Sequence, residues 1–542
     1  MGPLVSQSFT NDAADAGGTF HSDGSQVMGA YATAASSFTI SYNASTQSYT
    51  VSTGSRTQTF TPADQVASGS TDFTAYQKSS GNLAESLSLT VPGTSGALQY
   101  QYVGGGAWER ANNGGTTLDF TYNPFTYGIV TPDASLARTG TGLYSVSLVG
   151  ARESDQPYAM AGSGTMQVDF AGGTMSSTGV LTTIDVSSGY ILSLGIYYGS
   201  AQLSSTTNAF SGTFAMDDGT RLTGGWQGRF YGPSNQEVGA IWYINNGSDY
   251  ASGYLLGRSD NTVTPYNTSL NPIQFSESFS NRYAELDFHD NGDGTAATGS
   301  AMLRSDGVLQ VNVSTGDYAY VDVNSSSSVG FPSASLNSGA STSSYAVYDT
   351  TVGGTSYRLT LLKPGAGNPT IALNYVSFGR WQQFQSSSAD AKDRWFAWGV
   401  RTNGFQIPTG TGHYDGILAG SGATAQGGAQ YSLTGTSSLD VNFGAATFTG
   451  SLHPIGTNLS TLATRDFGTY SVTGGLIDAD AGLTANVVDG SSNYLGFVEG
   501  ALYGSNAQEI GGTFGFKSGQ YNTWDPNYAT AVNLTGAFVG KR

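Results

Sequence analysis

Residues 226–242 read WQGRFYGPSNQEVGAIW, and residues 498–514 read VEGALYGSNAQEIGGTF. Both carry Gly, two residues, Tyr-Gly, then Asn, Gln-Glu, a β-branched residue and Gly. Tyr231 and Tyr503, Glu237 and Glu509, and Gly239 and Gly511 are each separated by 272 positions, close to half of the 542-residue chain. The correspondence continues outward. SQSFTN (Ser6–Asn11) answers SESFSN (Ser276–Asn281). Phe73, Tyr76, Leu87, Pro92 and Gly93 answer Tyr345, Tyr348, Leu359, Pro364 and Gly365. Tyr102 and Trp108 answer Tyr375 and Trp381, while Phe125 and Tyr127 answer Phe396 and Trp398. GTGLY (Gly140–Tyr144) answers GTGHY (Gly410–Tyr414). The offset stays between 270 and 273 throughout, which means small loop insertions on a retained framework. One design is written twice.

Composition fixes the class of structure. The chain has 76 Gly, 32 Tyr and 26 Phe, with only 11% charged residues. Runs of Glu, Lys, Leu and Ala at helical spacing are missing. β-branched and aromatic residues broken by Gly, Asn, Asp and Ser suit strands and tight turns, so the chain reads as all-β. The net charge is −18, from 38 acids against 20 bases, with no basic stripe, which argues against nucleic acid as a partner. No cysteine is present, which excludes disulfides, iron–sulfur clusters, cysteine-ligated zinc and a thiol nucleophile. No apolar stretch is long enough to cross a membrane as a helix. The start, MGPLVSQSFTND, lacks the basic and apolar regions of a signal peptide.

In chain order, residues 1–20, with AADAGG, read as a loose lead-in. Phe38, Ile40 and Tyr42, a turn at Asn43–Gln47, and Tyr49 and Val51 predict a hairpin. Ser86–Val91 and Ala97–Val103 predict two strands broken at Pro92-Gly93. From Gly140, segments such as GLYSVSLVGAR, TMQVDFAGGTMS and AFSGTFAMDDG recur at roughly a dozen residues, the cadence of an up-and-down sandwich or barrel. Residues 259–274 read as the link between halves, and the second half repeats the order. Four domains are expected: an irregular β-rich domain over 1–136, a barrel over 137–262, a second irregular domain over 263–406 and a second barrel over 407–542. The barrel strands read as short and Gly-broken and the chain ends Gly-Lys-Arg, which sets aside a membrane-spanning barrel.

FYGPSNQEVGAIW and LYGSNAQEIGGTFGFK, with TGTGLY, MQVDFAGGTM, TGTGHY and LDVNFGAATF upstream of them, resemble the barrel signature and barrel openings of the transferrin-binding protein B family. The resemblance covers essentially the whole chain. It implies a bilobed protein in which each lobe pairs a β-rich handle with an eight-stranded antiparallel barrel. It further implies a lipoprotein of the Gram-negative cell surface, captured ligand in the form of an iron or haem source or another nutrient, and a TonB-dependent outer-membrane receptor as partner. The N-terminal lobe would carry the capture face, and the C-terminal lobe would act as spacer or transporter dock. Membrane attachment would come only through a lipid anchor absent from this sequence. The low charge and Ser/Thr/Gly/Asn wealth look more like solute-binding relatives than like binders of transferrin itself.

Each chemical motif has an ordinary alternative. His21, His289, His413 and His453 are too scattered in sequence to suggest a metal or haem site, and they read as surface or barrel-mouth residues. HDNGDGT (His289–Thr295) lacks the aspartate and the twelfth-position glutamate of a calcium loop and reads as a hairpin turn, as do Asp478 and Asp480. No nucleophile elbow, phosphate loop or paired-carboxylate motif stands out, so no enzyme activity, cofactor or metal is expected. Glu237 and Glu509 read as barrel-turn residues. Aromatics ahead of each barrel supply the ligand-contact candidates Tyr122, Phe125, Tyr127 and Trp395. Tyr127/Trp398 and Trp108/Trp381 recur in both halves, which makes them framework as well. Tyr122 and Trp395, which do not recur, are the sharper candidates, together with the segment 108–124. The second functional class is a structural surface protein: an S-layer, filament or adhesin subunit.

Overall fold

A computed structural model describes residues 5–21, 28–153, 157–185, 191–217, 221–247, 250–289, 299–384, 391–424, 429–477, 481–488, 494–518 and 531–542. Among them, helical structure is confined to four single-turn 3-10 segments, and the rest is strand and turn. The chain divides into two units, Met1–Pro265 and Tyr266–Arg542. Each unit is a handle sheet followed by a closed barrel.

The first handle is a ten-stranded antiparallel sheet, far more regular than its Gly-interrupted sequence suggests. Its centre is the strand Gln7–His21, flanked by Phe38–Asn43 on one side and Thr117–Gly128 on the other. The lead-in expected at 1–20 is therefore an inner strand. Small side chains explain the misreading: Ala13, Ala14 and Ala16 give little hydrophobic signal, yet all three are buried. The hairpin Phe38–Asn43 with Ser48–Thr53 forms as predicted, with Gln47 at positive φ in its turn. The strand Leu83–Thr90 also forms, whereas Ala97–Tyr102 is not a strand, and the ladder resumes only at Val103. The second handle is an eight-stranded sheet ordered around Glu277–His289 and Ala391–Gly399.

The first barrel runs through Thr141–Glu153, Pro157–Asp169, Thr174–Asp185, Ile191–Leu203, Phe210–Asp217, Arg221–Tyr231, Glu237–Asn245 and Tyr250–Ser259. It closes where its first strand pairs with its last, Leu148 opposite Leu255. The second barrel closes the same way, Leu418 opposite Phe538. Strands of up to 13 residues in the first barrel and 14 in the second are longer than the cadence implied, because many glycines lie within strands and not between them. Inward positions are apolar: Tyr144, Met166, Tyr197, Phe214, Trp226 and Trp242 fill the first cylinder. An eight-stranded barrel is narrow enough for side chains to occupy its whole interior. Outward positions of Thr174–Asp185 are Thr174, Ser176, Thr178, Val180, Thr182 and Ile184, a mainly hydroxylated face.

Candidate functional site

The repeated signature builds the junction between handle and barrel. Glu237 opens the seventh barrel strand, and its carboxylate accepts three backbone N–H bonds from the handle: Gln101 at 2.8 Å, Tyr102 at 2.7 Å and Val103 at 2.9 Å. Glu509 does the same for Asn374 at 2.7 Å, Tyr375 at 2.7 Å and Val376 at 2.9 Å. This is why Ala97–Tyr102 leaves the ladder: donors that a neighbouring strand would satisfy are turned onto a carboxylate. Both glutamates are nearly inaccessible, 3% and 4% exposed. A buried charge persists only with such partners. Burial pushes the Glu509 carboxyl above its ordinary range, while the three N–H bonds and Lys541 pull the other way.

The surrounding bonds are duplicated one for one. Thr131 Oγ1 donates to the Gly232 carbonyl at 2.6 Å, and Thr402 Oγ1 donates to the Gly504 carbonyl at 2.7 Å. Tyr144 donates to the Asn235 carbonyl at 2.8 Å, as Tyr414 does to that of Ala507 at 2.6 Å. Val130 bridges Tyr231, and Arg401 bridges Tyr503. Gly128 and Gly399 take φ values of 152° and 155°, where a Cβ would fall within about 2 Å of the Tyr102 or Tyr375 carbonyl. The glycine is needed there because the chain turns from handle to barrel against its own backbone. The Gln-Glu pair, Tyr144 and Tyr414 were visible in the repeat, but the acceptor role of the glutamates and the Thr131/Thr402 bonds were not.

Around this shared frame the two seams differ reciprocally. In the first lobe, Tyr254 of the barrel presses on Gly105 of the handle, where a Cβ would sit 2.3 Å from its ring. In the second, the register that places Tyr254 opposite Ile241 places Ala537 opposite Thr513. There the handle supplies the bulk: Phe378, at the position of Gly105, clusters with Ala537, Ala501 and Trp395. Charge is exchanged too. Asp12 of the first handle takes Arg229 of its barrel in a bidentate pair, both contacts 2.7 Å. Arg282, at the position of Asp12, binds Glu499 of its own barrel at 3.1 Å, two residues along the face from the counterpart of Arg229.

All four sequence candidates are buried. Phe125 and Tyr127 belong to the first handle's core, with Phe125 stacked on Phe38 and Tyr127 edge-on to Phe9, both at about 5 Å. Phe279 meets Trp398 in the same way in the second lobe. Tyr122 is 5% exposed and lies near Glu109 and Tyr254 in the seam; burial pushes its phenol far up. Trp395, 7% exposed, donates through Nε1 to Ser421 Oγ at 3.0 Å, beside the Arg380–Asp393 pair. The aromatics offered as ligand contacts are thus covered on both faces, by the handle's own core and by the barrel. Segment 108–124 is hairpin, with its exposed tip near Gly114 and Gly115.

Among the histidines, His413 is exposed and bridges Asp440 at 2.7 Å and Asp415 at 3.1 Å, and His453 meets Asp466 at 2.9 Å. His21 and His289 end strands far apart in the topology. Residues 290–298, which hold most of HDNGDGT, and Asp478 and Asp480 lie outside the described residues. Among the described residues no group of three or more His, Asp or Glu is placed to hold a metal.

With this geometry in place, residues 407–542 match the family model for the C-lobe and N-lobe beta barrels of Tf-binding protein B. The fold is transferrin-binding protein B-like. The first barrel, whose junction repeats that of the matched one bond for bond, is the same element in duplicate. Among solved structures, transferrin binding protein B of Haemophilus parasuis Hp5 aligns at 15% identity over 84% of this chain and 85% of that one, with a TM-score of 0.28. The isotype 1 protein of serogroup B Neisseria meningitidis aligns at 16% identity over 82% and 86%, also at 0.28. The N-lobe of lactoferrin binding protein B of Moraxella bovis aligns at 15% identity over 34% of this chain and 79% of that one, at 0.20. No curated protein matches the chain. The match of the second barrel and the internal repeat, not these global superpositions, carry the assignment.

Proposed function

We propose that the chain is a non-enzymatic binding protein of the bacterial outer surface, capturing an iron or haem source or another nutrient for a TonB-dependent receptor. The observation that supports this reading is the match of the second barrel to transferrin-binding protein B barrels, extended to the first by the duplicated junction. Handle and barrel within each lobe are locked by buried carboxylates, so capture falls to the handle edges and loops that surround this rigid frame. The four buried aromatics then shape that frame from within, and contact with ligand passes to neighbouring exposed residues.

The test is a pull-down with the intact two-lobed protein from solubilised outer membranes and from spent medium. Recovery of a TonB-dependent receptor together with an iron carrier, haem or a chelate is expected. Recovery of the protein alone, as an ordered polymer, would overturn the reading in favour of a lattice or filament subunit.

A further inference from the structure

The second lobe carries a cleft of about 200 Å³ between its handle and its barrel. Arg282 of the handle and Arg401 of the connecting segment form one wall, and Leu483, Thr484, Glu499 and Tyr503 of the barrel form the other. Arg304 stands beside it. Its Nη1 binds Glu499 Oε1 at 2.6 Å, while Arg282 Nη1 binds Oε2 at 3.1 Å. Arg282 Nε also reaches Asp306 at 3.1 Å. Glu499 is mostly buried, whereas about half of the Arg282 and Arg304 side chains faces water. Arg401 is exposed, donates to the Ser280 carbonyl at 3.4 Å and neighbours the Tyr503 hydroxyl.

Arg282 and Arg304 therefore meet two carboxylates, Glu499 and Asp306, and Arg401 adds a third guanidinium to the cleft with no carboxylate partner among the described residues. On a chain with 38 acids and 20 bases, such a local excess of positive charge is unusual. Each guanidinium has five N–H donors, and the recorded bonds use only a few of them. Glu499 holds Arg282 and Arg304 in place without exhausting them.

The first lobe is an internal control for this arrangement. Asp12 stands where Arg282 stands, and Val130 bridges Tyr231 as Arg401 bridges Tyr503. Gln227 faces Ile241 in the register that puts Glu499 opposite Thr513. That backbone carries an acid, an alkyl group and an amide at these three places; its seam arginine Arg229 is closed in a bidentate pair with Asp12, and Arg258 is spent on the Gln99 carbonyl and the face of the Tyr100 ring. The arginine cluster thus belongs to the second lobe and is not a requirement of the fold.

We propose that this cleft binds a small organic polycarboxylate. Planar guanidinium groups match carboxylate oxygens in paired hydrogen bonds. Ala397 and the glycines at 482, 500 and 512 also line the cleft and bring no polar side chain to it, which leaves room for the carbon skeleton of an organic anion.

Titration calorimetry of the intact protein with citrate, at low and physiological salt, tests the site. Saturable binding that weakens with salt is expected, with at least about tenfold loss in Arg401→Gln, a change at an exposed residue. Arg465→Gln removes the same charge from an exposed position of the second barrel away from the cleft lining and should leave affinity within about twofold. Unfolding midpoints of both variants establish that the fold is intact. Absence of citrate binding, equal loss in the two variants, or inorganic phosphate binding as tightly as citrate would each overturn the proposal. None of these results bears on recovery of a receptor in the pull-down, so this inference and the proposed function fail separately.

Discussion

Replacing Glu237 by Ala tests the junction directly. The change removes the acceptor for the N–H groups of Gln101, Tyr102 and Val103, which are not equally deprived of water. Val103 is 1% exposed, so its N–H is left without a partner at about 1–3 kcal/mol. Tyr102 is half-buried and Gln101 exposed, so water replaces part of what they lose, at about 0.5–1.5 kcal/mol each. The expected loss is therefore about 2–6 kcal/mol for the first lobe, measured by urea unfolding. Glu237→Gln keeps one acceptor oxygen but turns an amide NH2 toward an N–H, so it should recover less than half. Amide hydrogen exchange gives the local readout, since Tyr102 and Val103 should lose protection by at least about tenfold per 1.4 kcal/mol of local destabilisation. Glu509→Ala should produce the same pattern at Tyr375 and Val376. A loss below about 1 kcal/mol in both variants, with exchange at these amides unchanged, would refute the clamp.

Three other outcomes follow from the geometry. Tyr254→Ala should cost about 3–5 kcal/mol, and Gly105→Phe should disrupt the seam; combining them imitates the second lobe and should restore at least half of the loss, whereas simple additivity would count against the size exchange. Arg394 is buried between Tyr283 and Trp381 and pairs with Glu285 and Asp322, so Arg394→Met should cost about 3–5 kcal/mol by stranding two carboxylates; a change under 1 kcal/mol in thermal or urea unfolding would contradict it. The bond to Asp440, and then the charge of Asp415, raise the His413 pKa above its ordinary value. Its contribution to stability is therefore present below the ordinary histidine pKa and lost as pH rises through the raised one; NMR titration should show the midpoint falling in Asp440→Asn, and an unmoved midpoint would dismiss the pairing.

The two-lobed plan was legible because aromatic, Gly and Pro positions recur at one offset, and these residues fix turns and barrel cores in both halves. The roles of Glu237 and Glu509 were not. Their partners are backbone N–H groups more than 130 positions upstream, and no letter of the sequence identifies a main-chain donor. What could have pointed to them is an acid repeated within an otherwise apolar strand, where a charge survives only if it is fully bonded. The aromatic candidates were misplaced for a different reason. From Tyr122 to Gly128 every residue is buried, as it is from Asp393 to Trp398, so both faces of these strands are covered. Alternation, the usual sign of an exposed face, fails in a layer lying between two others. The inner strand Gln7–His21 was missed because alanine and glycine permit close approach without a hydrophobic pattern.

The exchanged bulk and charge at the two seams bear on how a duplicated chain assembles. Handles of nearly equal backbone invite cross-pairing, a common failure of repeat proteins. If the first handle met the second barrel, Asp12 would face Glu499 and Gly105 would leave a void beside Ala537. In the opposite error, Arg282 would approach Arg229, and Phe378 would collide with Tyr254. Both mismatches are penalised in charge and in volume at once, so each half of the polypeptide carries its own proofreading against the other.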